Sequence, residues 1–358
     1  MAIMPRMQWD LFCRVIDNHG DIGVCWRLSV DLASRGQHVR LWVDDPSALG
    51  WMAPQGHPQV HVHPWPQAAQ EIEPARVVVE AFGCALPADY VLRMAAQPQP
   101  PVWINLEYLS AQDYVERVHG LASPQSGAAR GLRKRFYYPG FTPRTGGLIR
   151  ESDLLERQQA FDAPAWLRGV GAASRPGERV VSLFCYEQPA LPGLISALSE
   201  RPTLLLACAG QAARQIRALV PTGSHGRLRA LAMPELTQRD YDHLLWASDL
   251  NFVRGEDSLV RAQWAARPFV WQIYPQSDGA HHAKLEALLV RHVAGAPADV
   301  AAAVRHAWRW WTAVAPDPGP PAPWERTGWR DWTRTWRTTL WSQTDLSTQL
   351  LQFVAETG

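Results

Sequence analysis

The sequence has little net charge, no clustered cysteines and no long apolar run, and each shortage excludes a class of protein. Its 35 basic and 34 acidic side chains leave a formal net charge of +1, so no global field attracts nucleic acid or an anionic membrane. The five cysteines are scattered, without CxxC or Cys/His spacing, which argues against a zinc site or a disulfide framework. No apolar stretch approaches the ~20 residues of a membrane span, and the N-terminus has no secretory apolar core. We therefore expect a cytoplasmic protein that uses neither a membrane nor nucleic acid as a partner.

Two phosphate-binding motifs are also missing. The sequence contains neither a GxGxxG dinucleotide fingerprint in the required context nor a GxxxxGK[ST] loop, which weakens dehydrogenase and kinase interpretations. It has 358 residues, of which 47% are hydrophobic and 19% charged. This composition supports about two packed domains rather than a disordered chain.

Apolar and amphipathic segments alternate in two series along the chain. The first series contains the strand candidates DLFCRVI, HVRLWV, RVVVEAFG and PVWINLEYL, and its first helix closes at Gly36. After the irregular passage FYYPGFTPRTGGLIRE, the second series contains RVVSLFCYE, TLLLACAG, LRALAM, LNFVRG and RPFVWQIYP. This alternation predicts an α/β protein with two doubly wound, Rossmann-like domains, 1–150 and 151–340, facing a central cleft. A C-terminal helix at 341–358 is expected to pack back toward the first domain.

The first candidate site is the loop that joins the first predicted strand to the first helix. It contains Asp17 and Asp21 with Gly20 between them. One interpretation makes Asp21 a helix cap and the glycines turn residues. The other uses both carboxylates, which repel an anion at a helix N-terminus but would hold a cationic or hydroxylic acceptor or act as a base.

The second candidate site is the corresponding strand-to-helix loop of the second domain. Arg254 could bind a diphosphate bidentately, and Ser258 with the helix N-terminus would add neutral donors. A salt-bridged loop with an ordinary cap is the structural alternative. Phe184 and Tyr186 end another strand of this domain, where their rings could stack on a base, although such aromatics are more often core residues.

Other conspicuous residues favour structural interpretations. Ser110 is expected to cap the following helix, and His281 with His282 to lie at a solvated helix start rather than in a metal or phosphate site. The sequence has 18 tryptophans, and those near the C-terminus alternate with arginine, as in some nucleic-acid-stacking proteins. Their helical spacing is more typical of a buried stripe.

Five segments carry a resemblance to a known family. DNHGDIGVCWRL, INLEYLSAQDYVE, FYYPGFTPRTGGLIRE, LFCYE and DLNFVRGEDSLVRAQWAARPFVWQIYPQ occur in this order. Together they closely resemble the bacterial elongation factor P arginine rhamnosyltransferases over nearly the whole chain. The most specific motifs are RGEDS and PGFTPRTGG.

The resemblance implies a GT-B glycosyltransferase that moves L-rhamnose from dTDP-β-L-rhamnose to an arginine of elongation factor P, with inversion. It implies an acceptor-side N-terminal domain, a nucleotide-sugar C-terminal domain and no cofactor or metal. The implied catalytic acids are Asp21 as base, Asp17 and Glu256. The implied donor contacts are Asn18, His19, Gly20, Phe184, Tyr186, Gln238, Phe252, Arg254, Gly255, Glu256, Asp257 and Ser258.

Two further hypotheses stay open at this point. One is a GT-B enzyme that uses another nucleotide sugar or acceptor. The other is a binding module for RNA or protein built on the Trp/Arg tail, although the near-neutral charge argues against RNA.

Overall fold

The computed structural model describes residues 6–16, 19–69, 72–276, 279–313, 319–321 and 327–357. The chain divides into two compact units. The first comprises Met1–Leu154 and Trp341–Gly358, and the second comprises Leu155–Leu340. The passage FYYPGFTPRTGGLIRE thus belongs to the first unit and ends just before the division.

Strands and helices are numbered in chain order. The strands are β1 (Gln8–Cys13), β2 (His38–Val43), β3 (Val60–Pro64), β4 (Val77–Ala81), β5 (Val102–Leu106), β6 (Ala122–Ser123), β7 (Lys134–Tyr137), β8 (Arg179–Leu183), β9 (Thr203–Ala207), β10 (Ser224–His225), β11 (Leu228–Ala232), β12 (Leu250–Arg254) and β13 (Phe269–Gln272). The helices are α1 (Gly20–Ser34), α2 (Leu49–Met52), α3 (Ala88–Ala96), α4 (Tyr114–Val118), α5 (Leu154–Gln159), α6 (Ala163–Gly169), α7 (Leu191–Ser199), α8 (Gln211–Leu219), α9 (Gln238–Ala247), α10 (Gly255–Ala265), α11 (Ala280–His292), α12 (Ala298–Trp311), α13 (Thr327–Trp341) and α14 (Leu346–Thr357).

The first unit is built on one twisted sheet with a core on each face. Its described strands follow the order β3-β2-β1-β4-β5-β7-β6, and the pairs are parallel except for β6 with β7. Successive strand residues point to opposite faces. Leu11 therefore packs in one core with α1 and α14, whereas its neighbour Phe12 packs in the other. Burial on both faces explains why β4 is apolar at nearly every position.

Helix α1 ends as its sequence predicts. Gly36 has φ +88° and its N–H donates to the Ala33 carbonyl oxygen at 2.9 Å. Glycine adopts this left-handed conformation at little steric cost. The prediction that Gly36 closes the helix is confirmed.

The glycine-rich passage before the division packs against the chain that leads into α14. Gly147 has φ +71°, and a Cβ there would collide with the Thr344 carbonyl oxygen. On the next residue, the Leu148 carbonyl oxygen accepts the Leu346 N–H at 2.9 Å. The end of the PGFTPRTGG motif thus makes a close backbone contact with the segment before α14, and this contact holds α14 in the first unit.

The second unit repeats the parallel plan. Its described strands follow the order β10-β11-β9-β8-β12-β13, and the pairs are parallel except for the short hairpin β10–β11. The tryptophans near the C-terminus that are described are mainly core residues: Trp308, Trp311 and Trp329 are at most 1% exposed. This confirms the buried-stripe interpretation for them, while Trp324 lies outside the described residues.

All five cysteines are buried and free of disulfides, as their spacing indicates. None of the helices in the described part of the chain combines the length and apolar character that a bilayer span needs.

Candidate active site

The topology of each sheet marks one place for a ligand. In the second unit, β8 leads to β9 on one side of the sheet and its neighbour β12 leads to β13 on the other. In the first unit, β1 and β4 are related in the same way. A crevice opens outside the carboxyl ends of such strand pairs, and ligands of α/β proteins bind there. The predicted site residues follow these strands.

In the second unit, three predicted residues meet at the end of β8 and β12. The guanidinium carbon of Arg254 lies 4.3 Å from the centroid of the Phe184 ring and 4.4 Å from that of Tyr186. Its Nη1 donates to the Cys185 carbonyl oxygen at 3.3 Å. The cation is therefore held between two π faces, which attract it electrostatically. All three side chains are half-buried, so the cation remains accessible to a ligand.

Glutamine side chains that the sequence analysis did not single out fix the loop carrying Tyr186. The Oε1 of Gln272 accepts the Tyr186 N–H at 2.9 Å, and its Nε2 donates to the Glu187 carbonyl oxygen at 3.2 Å. From the other side, Nε2 of Gln215 donates to the Tyr186 carbonyl oxygen at 3.0 Å. Both backbone groups of Tyr186 are thus satisfied by amides. A glutamine at the end of the otherwise apolar strand β13 was the signal in the sequence.

The start of α10 lies beside this cluster. Gly255 has φ +66°, and a Cβ there would lie 3.2 Å from the Tyr186 hydroxyl oxygen, so the position requires glycine. Ser258 Oγ accepts the Arg254 N–H at 3.2 Å and donates to the Arg254 carbonyl oxygen. Glu256 and Asp257 occupy the first turn and are half-buried. Carboxylates there are stabilised by the helix dipole.

Two other predicted donor contacts have different surroundings. The Phe252 ring is fully buried against Trp311, with centroids 4.7 Å apart. Its carbonyl oxygen accepts the Phe184 N–H at 2.9 Å, so Phe252 supports the loop from the core. Gln238 is the half-buried first residue of α9, after the capping Thr237. A role for either side chain in a base pocket stays a prediction.

In the first unit, Asp21 is the second residue of α1 and is only 4% exposed. Its Oδ2 accepts the Ile16 N–H at 2.9 Å, which orients the carboxylate in the turn between β1 and α1. His19 is exposed and meets the ring of Trp51 edge-on at 5.8 Å, and Gly20 is exposed at the start of the helix. Asp17 and Asn18 lie outside the described residues, so their roles stay predictions.

The described residues contain no ready set of metal ligands. No group of three or more His, Cys, Asp or Glu side chains converges among those residues. His281 lies at the beginning of α11, in agreement with the predicted helix start, and its Nδ1 accepts the Gln276 N–H at 3.1 Å.

The expectation for Ser110 is wrong. Helix α4 begins at Tyr114, and Ser110 Oγ instead accepts the N–H of Gln112 at 3.1 Å. A serine two residues before its hydrogen-bond donor forms a local turn, which competes with helix capping for the same hydroxyl.

Comparison with known proteins places the chain. The family model described as Elongation-Factor P (EF-P) rhamnosyltransferase EarP matches residues 9–355. Protein-arginine rhamnosyltransferases of Pseudomonas putida and Pseudomonas aeruginosa are 44% and 42% identical to this chain; each alignment covers 97% of it, and 98% and 99% of those proteins.

Solved structures agree. A structure described as the basis for EarP-mediated arginine glycosylation of translation elongation factor EF-P matches with a TM-score of 0.68 and 30% identity, covering 99% of this chain and 100% of that one. The spinosyn rhamnosyltransferase SpnG complexed with thymidine diphosphate matches with a TM-score of 0.54 and 13% identity, covering 98% of this chain and 100% of that one, and shows the fold alone. The predicted GT-B fold is confirmed. Because the family model and the two Pseudomonas relatives span nearly the whole chain, this protein belongs to the elongation factor P arginine rhamnosyltransferase family of GT-B glycosyltransferases.

Proposed function

We propose that the protein transfers L-rhamnose from dTDP-β-L-rhamnose to one arginine side chain of elongation factor P, with inversion at the anomeric carbon. Family membership supports the sugar and the acceptor. The observation that supports a nucleotide-sugar donor is the Arg254 guanidinium, which lies between Phe184 and Tyr186 at the carboxyl edge of the second sheet. A cation beside two aromatic faces matches a ligand that combines a diphosphate with a base.

In the donor half, Arg254 binds the diphosphate through charge-assisted hydrogen bonds. The N-terminus of α10, with Gly255, Ser258 and the neighbouring acids Glu256 and Asp257, lies next to it. Its backbone dipole also favours an anion. The Tyr186 ring, whose backbone N–H and carbonyl are held by Gln272 and Gln215, stacks near the thymine.

In the acceptor half, two carboxylates make the arginine side chain reactive enough to attack the sugar. The arginine guanidinium is protonated at ordinary pH and its lone pairs are delocalised, so it is a poor nucleophile. Asp17 and Asp21 grip it bidentately and direct one nitrogen toward the anomeric carbon. As the new C–N bond forms and the bond from the anomeric carbon to the diphosphate oxygen breaks, Asp21 takes the proton from that nitrogen. A single in-line displacement of this kind inverts the anomeric carbon.

The reaction also requires stabilisation of the negative charge on the leaving group. Arg254 and the start of α10 stabilise the negative charge that develops on the departing dTDP, so this scheme runs without a metal ion. Glu256 acts as a second functional acid. The cytoplasmic location stays a prediction.

The experiment is intact-mass spectrometry of elongation factor P from the same source, after incubation with the protein and dTDP-β-L-rhamnose in EDTA. The expected result is one added deoxyhexose on one arginine, with an α-linked product by NMR. Loss of transfer in EDTA with rescue by Mg²⁺ would refute metal independence. Tight dTDP binding without any transfer would instead point to another sugar or acceptor.

A further inference from the structure

In the described part of the first unit, one carboxylate at the same sheet edge as Asp21 has no ion-pair partner. Glu107 directly follows β5 and is half-buried. Its Oε1 accepts a hydrogen bond from Asn105 Nδ2 at 2.7 Å. Among the described residues, no lysine or arginine lies within ion-pair distance of it. Burial raises the pKa of the Glu107 carboxyl, although the Asn105 hydrogen bond and the charge of Lys134, which is paired with Glu80, act in the opposite direction.

Neighbouring carboxylates of this unit do have such partners. Glu80 pairs with Lys134 Nζ at 3.2 Å, and Glu116 pairs with Arg144. A partly dehydrated carboxylate costs free energy unless it is paired. Because Lys134 is engaged by Glu80, the contrast indicates that the direct ion-pair partner of Glu107 arrives with a ligand.

Three tyrosines lie in the neighbourhood of this carboxylate, one of them the next residue in the chain. Tyr108 is 38% exposed and its ring stacks on Phe82, with centroids 4.5 Å apart. Tyr114 is 41% exposed and meets Tyr138 edge-on at 6.0 Å. The Glu107 charge adds to burial in raising the pKa of both Tyr114 and Tyr138, so the carboxylate lies close enough to act on both hydroxyls.

A carboxylate flanked by exposed tyrosine rings matches one chemical class of ligand. The negative faces of aromatic rings attract cations. A guanidinium suits the combination best, because it is planar, always charged, and binds a carboxylate through two parallel hydrogen bonds.

We propose that Glu107, with Tyr108, Tyr114 and Tyr138, forms a binding site for a cationic side chain of the acceptor protein, preferably an arginine. This proposal rests on the proposed function, since it concerns recognition of the protein acceptor. In the first sheet, β4 lies between β1 and β5. With strands about 4.8 Å apart, the ends of β1 and β5 are roughly 10 Å apart. An extended segment advances ~3.3 Å per residue. An acceptor loop can thus place one side chain at Asp21 and another, a few residues away, at Glu107.

The test is Glu107→Gln, which removes the charge but keeps the size of the side chain and an oxygen that can accept the Asn105 hydrogen bond. We expect KM for elongation factor P to rise on the order of tenfold, as for loss of a charge-assisted contact. The kcat and the Kd for dTDP should stay within twofold of wild type, by the same reasoning. Binding of the acceptor should also become less sensitive to salt, a change that a merely structural role would not produce.

The matched control is Glu116→Gln, a carboxylate of the same region that already has Arg144 as its partner; its KM should resemble wild type. An elongation factor P variant with alanine in place of the target arginine shows which acceptor side chain binds Glu107. Its affinity is compared for the wild-type protein and for Glu107→Gln. If the cation is a neighbouring side chain, Glu107→Gln weakens both acceptors alike; if it is the target arginine, the effect disappears with the variant.

Two results would overturn the site. One is acceptor affinity and salt dependence equal to wild type in Glu107→Gln; the other is a parallel loss of dTDP affinity. These are distinct from failure of the proposed function, in which the wild-type protein itself neither binds nor modifies elongation factor P.

Discussion

Replacing Arg254 tests the donor half of the proposed mechanism most directly. The side chain combines a charge, a planar fork of donors and stacking between two rings at 4.3 and 4.4 Å. Arg254→Ala removes all three properties. Arg254→Lys keeps the charge but loses the fork and the stacking plane. The two variants therefore separate the charge from the geometry.

The size of the effect follows from the contact that is lost. A hydrogen bond to a charged group contributes about 1.5–3 kcal/mol, and each 1.4 kcal/mol corresponds to about tenfold in affinity. Arg254→Ala should therefore raise the Kd for dTDP by about 10- to 150-fold. Because the side chain is half-buried and partly screened, the lower part of that range is expected. Arg254→Lys should fall between alanine and wild type.

The assay is calorimetric titration of dTDP at fixed ionic strength. Arg309→Ala is the matched control, because Arg309 lies in the same unit, on α12, and its guanidinium is already paired with Glu286 of α11 at 2.6 Å. Its dTDP affinity should equal wild type. Equal affinity of Arg254→Ala and wild type would refute the diphosphate assignment, and so would an equal loss in the Arg309 control.

Three other predictions address the base, the fold and the pH dependence. Asp21→Asn should lower kcat by ~10²–10⁴-fold, as for loss of a general base. Donor affinity, measured by titration, should change only a few-fold, because the amide oxygen can still accept the Ile16 N–H. A large loss of donor affinity would make Asp21 a binding residue instead. Gly147→Ala should lower the free energy of unfolding, measured in urea, by about 2–5 kcal/mol, because of its left-handed φ and the collision with Thr344. The control Gly120→Ala, which has φ +78° but open space around it, should lose only ~1–2 kcal/mol. Equal losses in the two variants would exclude the collision. Burial lowers the pKa of His292 to about 3, so the unfolded chain binds an extra proton between that value and ~6.5, and stability should fall by about 2 kcal/mol from pH 7 to pH 5. In His292→Phe this acid-side slope should be shallower by that amount, and an unchanged slope would refute the assignment.

Periodicity predicted the regular elements well because both sheets are buried on two faces. The strands β2, β4, β5, β8 and β9 each fall within a predicted segment, whereas β1 begins two residues before the predicted DLFCRVI. Val60–Pro64, the edge strand β3, was missed because only Val60 is buried in it. Its alternation of histidine and valine lacks the apolar run that marks a central strand.

The candidate sites were predictable where the functional residue is close in sequence to a strand end. Phe184, Tyr186 and Arg254 each stand at such an end, and the structure brings them together. Gln215 and Gln272 were not predicted, because their role depends on backbone groups distant in sequence. Glu107 lies within the predicted strand segment PVWINLEYL, but its lack of an ion-pair partner among the described residues becomes visible only when neighbouring carboxylates can be compared in space.

The two sheets share one topology but present opposite charges at their carboxyl edges. In the second unit, β8 and β12 deliver a cation, aromatic rings and a helix N-terminus, a combination that favours an anion. In the first unit, β1 and β5 deliver the carboxylates Asp21 and Glu107 with exposed tyrosines, a combination that favours a cation. The proposed diphosphate donor and arginine acceptor match these two edges. This assignment requires the two halves to respond separately: Arg254 variants should change the affinity for dTDP, and Glu107 variants the affinity for elongation factor P. A variant of either residue that weakened both ligands equally would contradict the division of roles between the units.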